Sequence, residues 1–413
     1  MKILIAHNFY QQPGGEDQCV AAEVTMLKAR GHEVIQYCLH NDSIEALNRF
    51  QAASRAIWSR PAYHEVRELI RTHRPQIVHF HNTFPLISPA AYYAARAENV
   101  RVVQTLHNYR LLCPNALFFR NGQVCEDCLG KSIPWPGIVH KCYRDGLSAS
   151  AAAAAMLTAH RALGTWQKAV DLFVALTQFS RHKFIEGRLP SDKIVVKSNF
   201  VYPDPGLGTG TGEYGLFVGR LSAEKGLETL LKAWKVLRAS VPLKIVGDGP
   251  MAAIVKEAAT SDSRIEWLGR KSAEDVYALI GEAKFLLCPS NCYETFGRVI
   301  VEAFAKGAPV IASNLGAMAE LVDHGRTGLH FEPGNAIDLA STVQQLLADL
   351  PALRRMRHAA RQEYEQRYTV EPNYRALMAI YEQVLGGARE LKENNGPKTN
   401  GPAKSSSKEV LGC

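Results

Sequence analysis

The sequence predicts an α/β protein built of two doubly wound domains, and three observations carry that prediction. Two series of short apolar runs alternate with segments of helical period, a Gly- and Pro-rich interruption separates the series, and 413 residues suffice for two or three domains with separate cores. Hydrophobic residues at 46% and charged residues at 21% fit an ordinary globular chain, which excludes a small stapled scaffold and a wholly disordered one.

The first series opens with the apolar run at residues 2–7, a loop at Pro13-Gly14-Gly15 and a helical stretch from Val20 to Leu27 ending near Gly31. Strand, glycine loop and helix in that order begin a βαβ unit. Further runs at 33–38, 76–80, 101–106, 171–176 and 193–196 lack strand-like alternation and suit parallel strands buried on both faces. From Tyr202 to Gly212 the periodicity stops and Gly and Pro dominate, as in a flexible connection or hinge. The second series follows at 214–218, 243–246, 265–268, 285–288 and 309–312. After Phe331 the chain turns helical, with a packing helix expected around Tyr374–Val384, and from Glu390 polar residues, Gly and Pro predict a disordered tail.

Charge is divided unevenly. Residues 1–200 hold 23 basic and 15 acidic side chains, whereas 201–413 hold 25 of each. A basic first half suits an anionic partner such as a lipid surface, a phosphorylated substrate or a nucleic acid. No apolar run approaches the roughly 18 residues that cross a bilayer, and Met1–Ile5 is too short for the core of a signal peptide, so the expected location is cytoplasmic. Nine cysteines without an export signal favour metal binding or free thiols over a disulfide framework.

In the second series, Gly219-Arg220-Leu221-Ser222-Ala223-Glu224-Lys225-Gly226 follows a strand and precedes a helix. Arg220 and Lys225 therefore sit at the carboxyl edge of the sheet, where two cations beside a helix N-terminus suit a diphosphate. The segment Pro289–Glu302 leaves the strand ending at Cys288 in the same way. Glu294 is expected at a loop-to-helix junction, with the backbone N–H groups of Thr295, Phe296 and Gly297 free for an anion. Glu302 is expected two turns further on the same helix face, buried by Val299–Val301, Ala303 and Phe304, as an acceptor for a hydroxyl pair.

These motifs resemble the retaining glycosyltransferases of family 4. The resemblance rests on the Glu-x7-Glu pair Glu294 and Glu302, the Gly219–Gly226 loop, Gly307–Ala312 and the stretch from Gly316 through Glu320 to Gly328, and it extends over about residues 1–385. It implies the GT-B fold, two Rossmann-like domains facing a cleft. With the breaks in periodicity, this gives an acceptor-side domain at 1–202, a linker at 203–212, a nucleotide-sugar domain at 213–365, a packing helix at 366–389 and the tail at 390–413, with a four-cysteine insertion at 113–142 that departs from the family pattern. The same resemblance gives Arg220 and Lys225 the donor diphosphate, Glu302 the ribose hydroxyls, and Glu294 with Thr295, Phe296 and Gly297 the transferred sugar and phosphate. It places the backbone at Arg270-Lys271 beside the nucleobase, Gly14 and Gly15 close to the donor phosphates, and His107 at the cleft as the active-site histidine. His79 and His81 end a neighbouring strand and are candidates for the acceptor side. The reaction implied is retaining transfer by front-face attack, with no catalytic metal.

Cys113, Cys125, Cys128 and Cys142 are spaced Cys-x11-Cys-x2-Cys-x13-Cys, and four soft ligands at this spacing can close a structural zinc site. An iron–sulfur cluster, free thiols and disulfides remain alternatives. The Ala-rich stretch 149–163 and Trp58 among arginines add amphipathic surfaces that suit an anionic membrane as well as core packing. The expected partners are thus a nucleoside diphosphate sugar, a glycan or lipid-linked acceptor in cell-surface polysaccharide synthesis, and the inner face of the cytoplasmic membrane. Nucleic acid is not expected. Competing readings are an epimerase or phosphorylase on the same fold, and a nucleic-acid-binding protein using the four-cysteine module.

Overall fold

The computed structural model describes residues 1–12 and 14–394, with side chains to residue 386. In chain order the strands are β1 (Lys2–Phe9), β2 (Glu33–His40), β3 (Ile77–Phe80), β4 (Arg101–Thr105), the short hairpin β5 (Phe119–Arg120) and β6 (Gln123–Val124), β7 (Leu172–Ala175) and β8 (Ile194–Val196). The second domain adds β9 (Gly215–Val218), β10 (Leu243–Val246), β11 (Ile265–Gly269), β12 (Phe285–Cys288), β13 (Val310–Ser313) and β14 (Gly328–Phe331). They form two six-stranded parallel sheets, ordered β2-β1-β3-β4-β7-β8 and β11-β10-β9-β12-β13-β14. The hairpin and β14 escape the sequence reading, the former because two-residue strands carry no period and the latter because Gly328-Leu329-His330-Phe331 is short.

Both orders reverse direction once, between β1 and β3 in the first sheet and between β9 and β12 in the second. Loops leaving the two strands at a reversal run to opposite faces and open a crevice at the carboxyl edge. In the second sheet those loops are Gly219–Gly226 and Pro289–Gly297, so topology brings together two motifs separated by some seventy residues of chain. Gly226 lets them touch: its φ is +71°, and a Cβ there would lie 1.7 Å from the Pro289 carbonyl oxygen.

Three expectations about the connections change. The stretch 203–212 is not a free linker: the N–H groups of Gly208, Gly210 and Gly212 donate to the carbonyls of Lys306, Gly281 and Glu282, and Arg361 pairs with Asp204. Its glycines serve close approach, since a Cβ on Gly208 would sit 2.2 Å from the Gly281 backbone. The helix expected at 366–389 starts at Val370 and runs to Asn394, and a separate helix, Leu350–Arg367, precedes it inside the range expected for the second domain. Val370–Asn394 crosses back to the first domain, where Leu377, Ile380 and Tyr381 pack with Ile3, Ile5 and Val103. Backbone expected to be disordered at 390–394 is helical, and the remainder of the expected tail lies outside the described residues. Among the described residues no helix is long and apolar enough to cross a membrane.

Candidate active site

The two carboxyl edges face each other, and side chains from both fill the junction. Thr295 Oγ1 donates to the His107 carbonyl oxygen at 2.6 Å, and Tyr109 Oη donates to that of Glu294 at 3.3 Å. Arg298 Nη1 reaches the Gly15 carbonyl at 3.5 Å, and Arg270 Nη2 reaches Gln12 Oε1 at 3.3 Å. Glu320 caps a helix from the opposite domain: its two carboxylate oxygens accept from the N–H groups of Gln178 and Phe179, at 2.9 and 2.7 Å. Sequence motifs include Glu320, but no periodicity signals this capping role across the cleft.

On the second-domain side, Lys225 Nζ lies 2.5 Å from Glu294 Oε1, which also accepts from Ser290 Oγ at 3.0 Å. Burial would lower the lysine's pKa, but Glu294 outweighs it and holds Lys225 protonated. The cation expected on the diphosphate is thus in contact with the carboxylate expected on the sugar. Arg220 is exposed on the same loop. The helix after Glu294 begins only at Arg298, with Gly297 as its N-cap, so Glu294 and Glu302 do not share a helix face as expected. None of the described residues accepts from the backbone N–H groups of Thr295, Phe296 or Gly297. Glu302 is buried and paired with Arg298, Nε to Oε1 2.8 Å. Burial raises its pKa, and Arg298 opposes that rise. Lys271 is exposed beside Arg270.

Gly14 and Gly15 lie at the N-terminus of the helix Gly15–Ala29, but neither requires glycine conformationally. Gly14 is extended, at φ −127°, and a Cβ on Gly15 would meet Arg298 at an ordinary 3.6 Å.

His107 ends a buried polar chain. His81 Nδ1 is 2.9 Å from His107 Nε2, and His81 Nε2 faces Glu23 Oε1 at 3.4 Å. His79 is not on the acceptor side. It is fully buried, 3.1 Å from Glu23, with Tyr381 Oη and Thr105 Oγ1 each 2.8 Å from a ring nitrogen. Burial alone would raise the Glu23 pKa, but Lys197, 3.3 Å from Oε2, and then His79 hold it well below the usual range. Burial, followed by the neighbouring histidines, lowers His81 to about 3 and takes His107 well below its ordinary value, so both rings are neutral. A carboxylate facing His81 Nε2 favours the proton on that nitrogen, making Nδ1 an acceptor from His107 Nε2–H and leaving His107 Nδ1 with a lone pair. Glu23, His79 and His81 also have ligand atoms within 4.8 Å of one another, but the Lys197 ammonium already supplies the cation a metal would bring.

Sequence reasoning missed Glu16. It accepts from Tyr10 Oη at 2.9 Å and Asn108 Nδ2 at 3.4 Å, next to His107, and burial raises its pKa to about 7. The native state then holds a proton through a range in which the unfolded chain has lost it, so stability falls as pH rises from the ordinary carboxylate range towards 7. Glu16→Gln should remove that fall, measured as a smaller difference in Tm between about pH 5 and about pH 8.

The four cysteines share one neighbourhood. Burial and then Cys113 push the Cys128 thiol up to about 12, with smaller effects from Cys142 and Cys125. No three of the four sulfurs lie within 4.8 Å of one another.

Two parallel doubly wound sheets meeting edge to edge, with the phosphate-type loops on one and a histidine on the other, define the GT-B class. The chain belongs to the family 4, or group 1, glycosyltransferases: "Glycosyltransferase Family 4" matches residues 13–204 and "Glycosyl transferases group 1" matches 207–363. MJ1178, an uncharacterized glycosyltransferase of Methanocaldococcus jannaschii, is 30% identical over 207 residues, 49% of this chain and 58% of the relative. A Mycobacterium tuberculosis glycogen synthase is 32% identical over 188 residues, 44% of this chain and 45% of the relative. The chain thus spans about half the length of the curated relatives it matches. Anabaena HepE, solved with UDP and glucose, shares the fold at TM-score 0.64 and 20% identity, over 95% of this chain and 100% of that one.

Proposed function

We propose that the protein transfers a sugar from a nucleoside diphosphate donor to a glycan or lipid-linked acceptor, with retention at the anomeric carbon. The observation that carries this reading is the 2.6 Å bond from Thr295 Oγ1 to the His107 carbonyl oxygen, which ties the loop carrying Glu294, and with it the Lys225–Glu294 pair, to the histidine's strand end across the cleft. Arg220, Lys225 and the amides of Thr295–Gly297 offset the diphosphate charge, which is greatest as the leaving group departs. Glu302 accepts from the ribose hydroxyls, and the backbone at Arg270-Lys271 borders the base. Glu294 holds sugar hydroxyls at the point where the sugar joins the phosphate. His107 Nδ1 accepts from a further sugar hydroxyl.

In front-face attack the acceptor oxygen bonds to the anomeric carbon as its bond to the diphosphate oxygen breaks, and the acceptor proton passes to that diphosphate. The step balances without an added base. HepE was solved with UDP, which supports a nucleoside diphosphate ligand. Thermal melting with UDP and GDP, against DNA and RNA, tests the reading: a shift with a nucleoside diphosphate alone is expected, and a shift with nucleic acid alone would overturn it. Glu302→Ala should weaken donor binding by about 1–3 kcal/mol, read by calorimetric titration.

For the four-cysteine module we propose one structural zinc. The soft-ligand set and the shared neighbourhood of the thiols support it, although the ion would have to draw the sulfurs closer than they stand. Elemental analysis of reduced protein should give one zinc per chain. Substoichiometric metal with four titratable thiols counts against it.

A further inference from the structure

Isolated exposed apolar side chains are normal on a protein surface, but a cluster of them marks a contact. In the first domain the large exposed hydrophobics are Phe50, Ile133, Trp135, Val139, Leu147 and Leu163. All six lie on or beside three neighbouring helices, because Arg49–Ile57 and Trp135–Val139 both pack against Leu147–Ala162. Trp135, Val139 and Leu147 are each more than half exposed, at 55, 60 and 56%. Burying a tryptophan there would have given the domain a larger core, yet the chain leaves it in solvent.

The surrounding charge is predominantly positive. Residues 46–64 carry three arginines and no acid, and residues 131–168 carry five Lys and Arg against Asp145 alone. Arg49, Lys131, Lys141 and Arg144 are exposed. A helix layer that carries exposed apolar side chains and exposed cations is complementary to an anionic bilayer, whose headgroups take the cations while its acyl boundary takes the tryptophan and aliphatic side chains.

The same helix layer leads to the reacting end of the cleft. Met156, on the inner side of Leu147–Ala162, lines a small cavity with Phe84, Arg110, Leu111 and His107. Arg110, which lines that cavity, stands over the rings of Phe84 and Tyr143, 4.5 and 4.6 Å from their centroids. The guanidinium and His107 therefore line one cavity under this helix layer.

We propose that the helix layer 49–57, 135–139 and 147–162 docks on an anionic membrane, and that the acceptor is a glycan carried on an anionic lipid presented there. The acceptor half rests on the transferase reading, whereas the docking half does not.

Co-sedimentation of the full chain with vesicles of phosphatidylcholine, with and without phosphatidylglycerol, tests docking. Binding only to the anionic vesicles is expected, and Lys131→Glu, Lys141→Glu and Arg144→Glu together should weaken it by about a hundredfold or more. Quenching of tryptophan emission by brominated lipid should be lost in Trp135→Phe. The melting shift with nucleoside diphosphate should be unchanged in both variants, which shows that they fold. Equal binding to both vesicle types, unchanged binding by the triple variant, or dimerisation abolished by these substitutions in a chain that ignores vesicles would each overturn the docking. For the acceptor, label from a nucleotide sugar should appear in the organic phase when bacterial lipid extract is added to the vesicles. Transfer to soluble glycan alone would overturn that half. A chain that binds vesicles but shows no nucleoside diphosphate shift would instead refute the transferase reading.

Discussion

Glu294→Gln should lower turnover by roughly 100- to 1,000-fold while changing donor affinity far less. Glutamine keeps the shape and one hydrogen-bonding oxygen, so the variant isolates the charge. In the native arrangement that charge faces the Lys225 ammonium at 2.5 Å and accepts from Ser290. Without it, Lys225 loses its carboxylate partner, and on the proposed reading the stabilisation lost is the part that grows as the bond from sugar to diphosphate breaks. Rates of nucleotide-sugar turnover, fitted separately for kcat and KM, check this. A loss confined to KM would place Glu294 in ground-state binding only.

Glu23→Ala should destabilise the first domain by about 3–5 kcal/mol, because it leaves the buried Lys197 ammonium without its carboxylate. Urea unfolding measures the loss, and adding Lys197→Met should restore part of it. The sign of the pH dependence follows from the depressed Glu23 pKa. Its stabilisation is complete above the ordinary carboxylate range and disappears only as pH falls through the native value. The variant also unseats His81, so His107 loses the contact that sets its tautomer, and activity should fall even where the chain remains folded. Full stability in Glu23→Ala would show that the buried chain is not held as an ion pair.

Most strands were legible because a buried parallel strand must be a short continuous apolar run. The β5–β6 hairpin was not, since two-residue strands lie below any period. The 203–212 stretch was misread for a related reason. Glycine signals both freedom and close approach, and only the position of Gly281, distant in sequence, shows that Gly208 serves the second. Of the candidate site, Arg220, Lys225, Glu294, Glu302 and His107 stand out in the sequence because each lies beside a strand end or within a spaced motif. Glu16, Glu23 and Lys197 do not, because a lone charged residue in a helix or strand edge reads as surface until its neighbours are known.

Sequence alone therefore determined the class of fold, its division into two domains, and the residue types gathered at each sheet edge, since local period and loop chemistry are properties of neighbouring residues. Tertiary structure alone decided which of those residues pair. The Lys225–Glu294 contact, the Glu320 cap on the opposite domain and the Glu23–His81–His107 chain join positions between 26 and 142 residues apart. Each depends on a strand order and a domain approach set by the packing of whole sheets and helices, and burial then fixes the protonation of the groups it encloses.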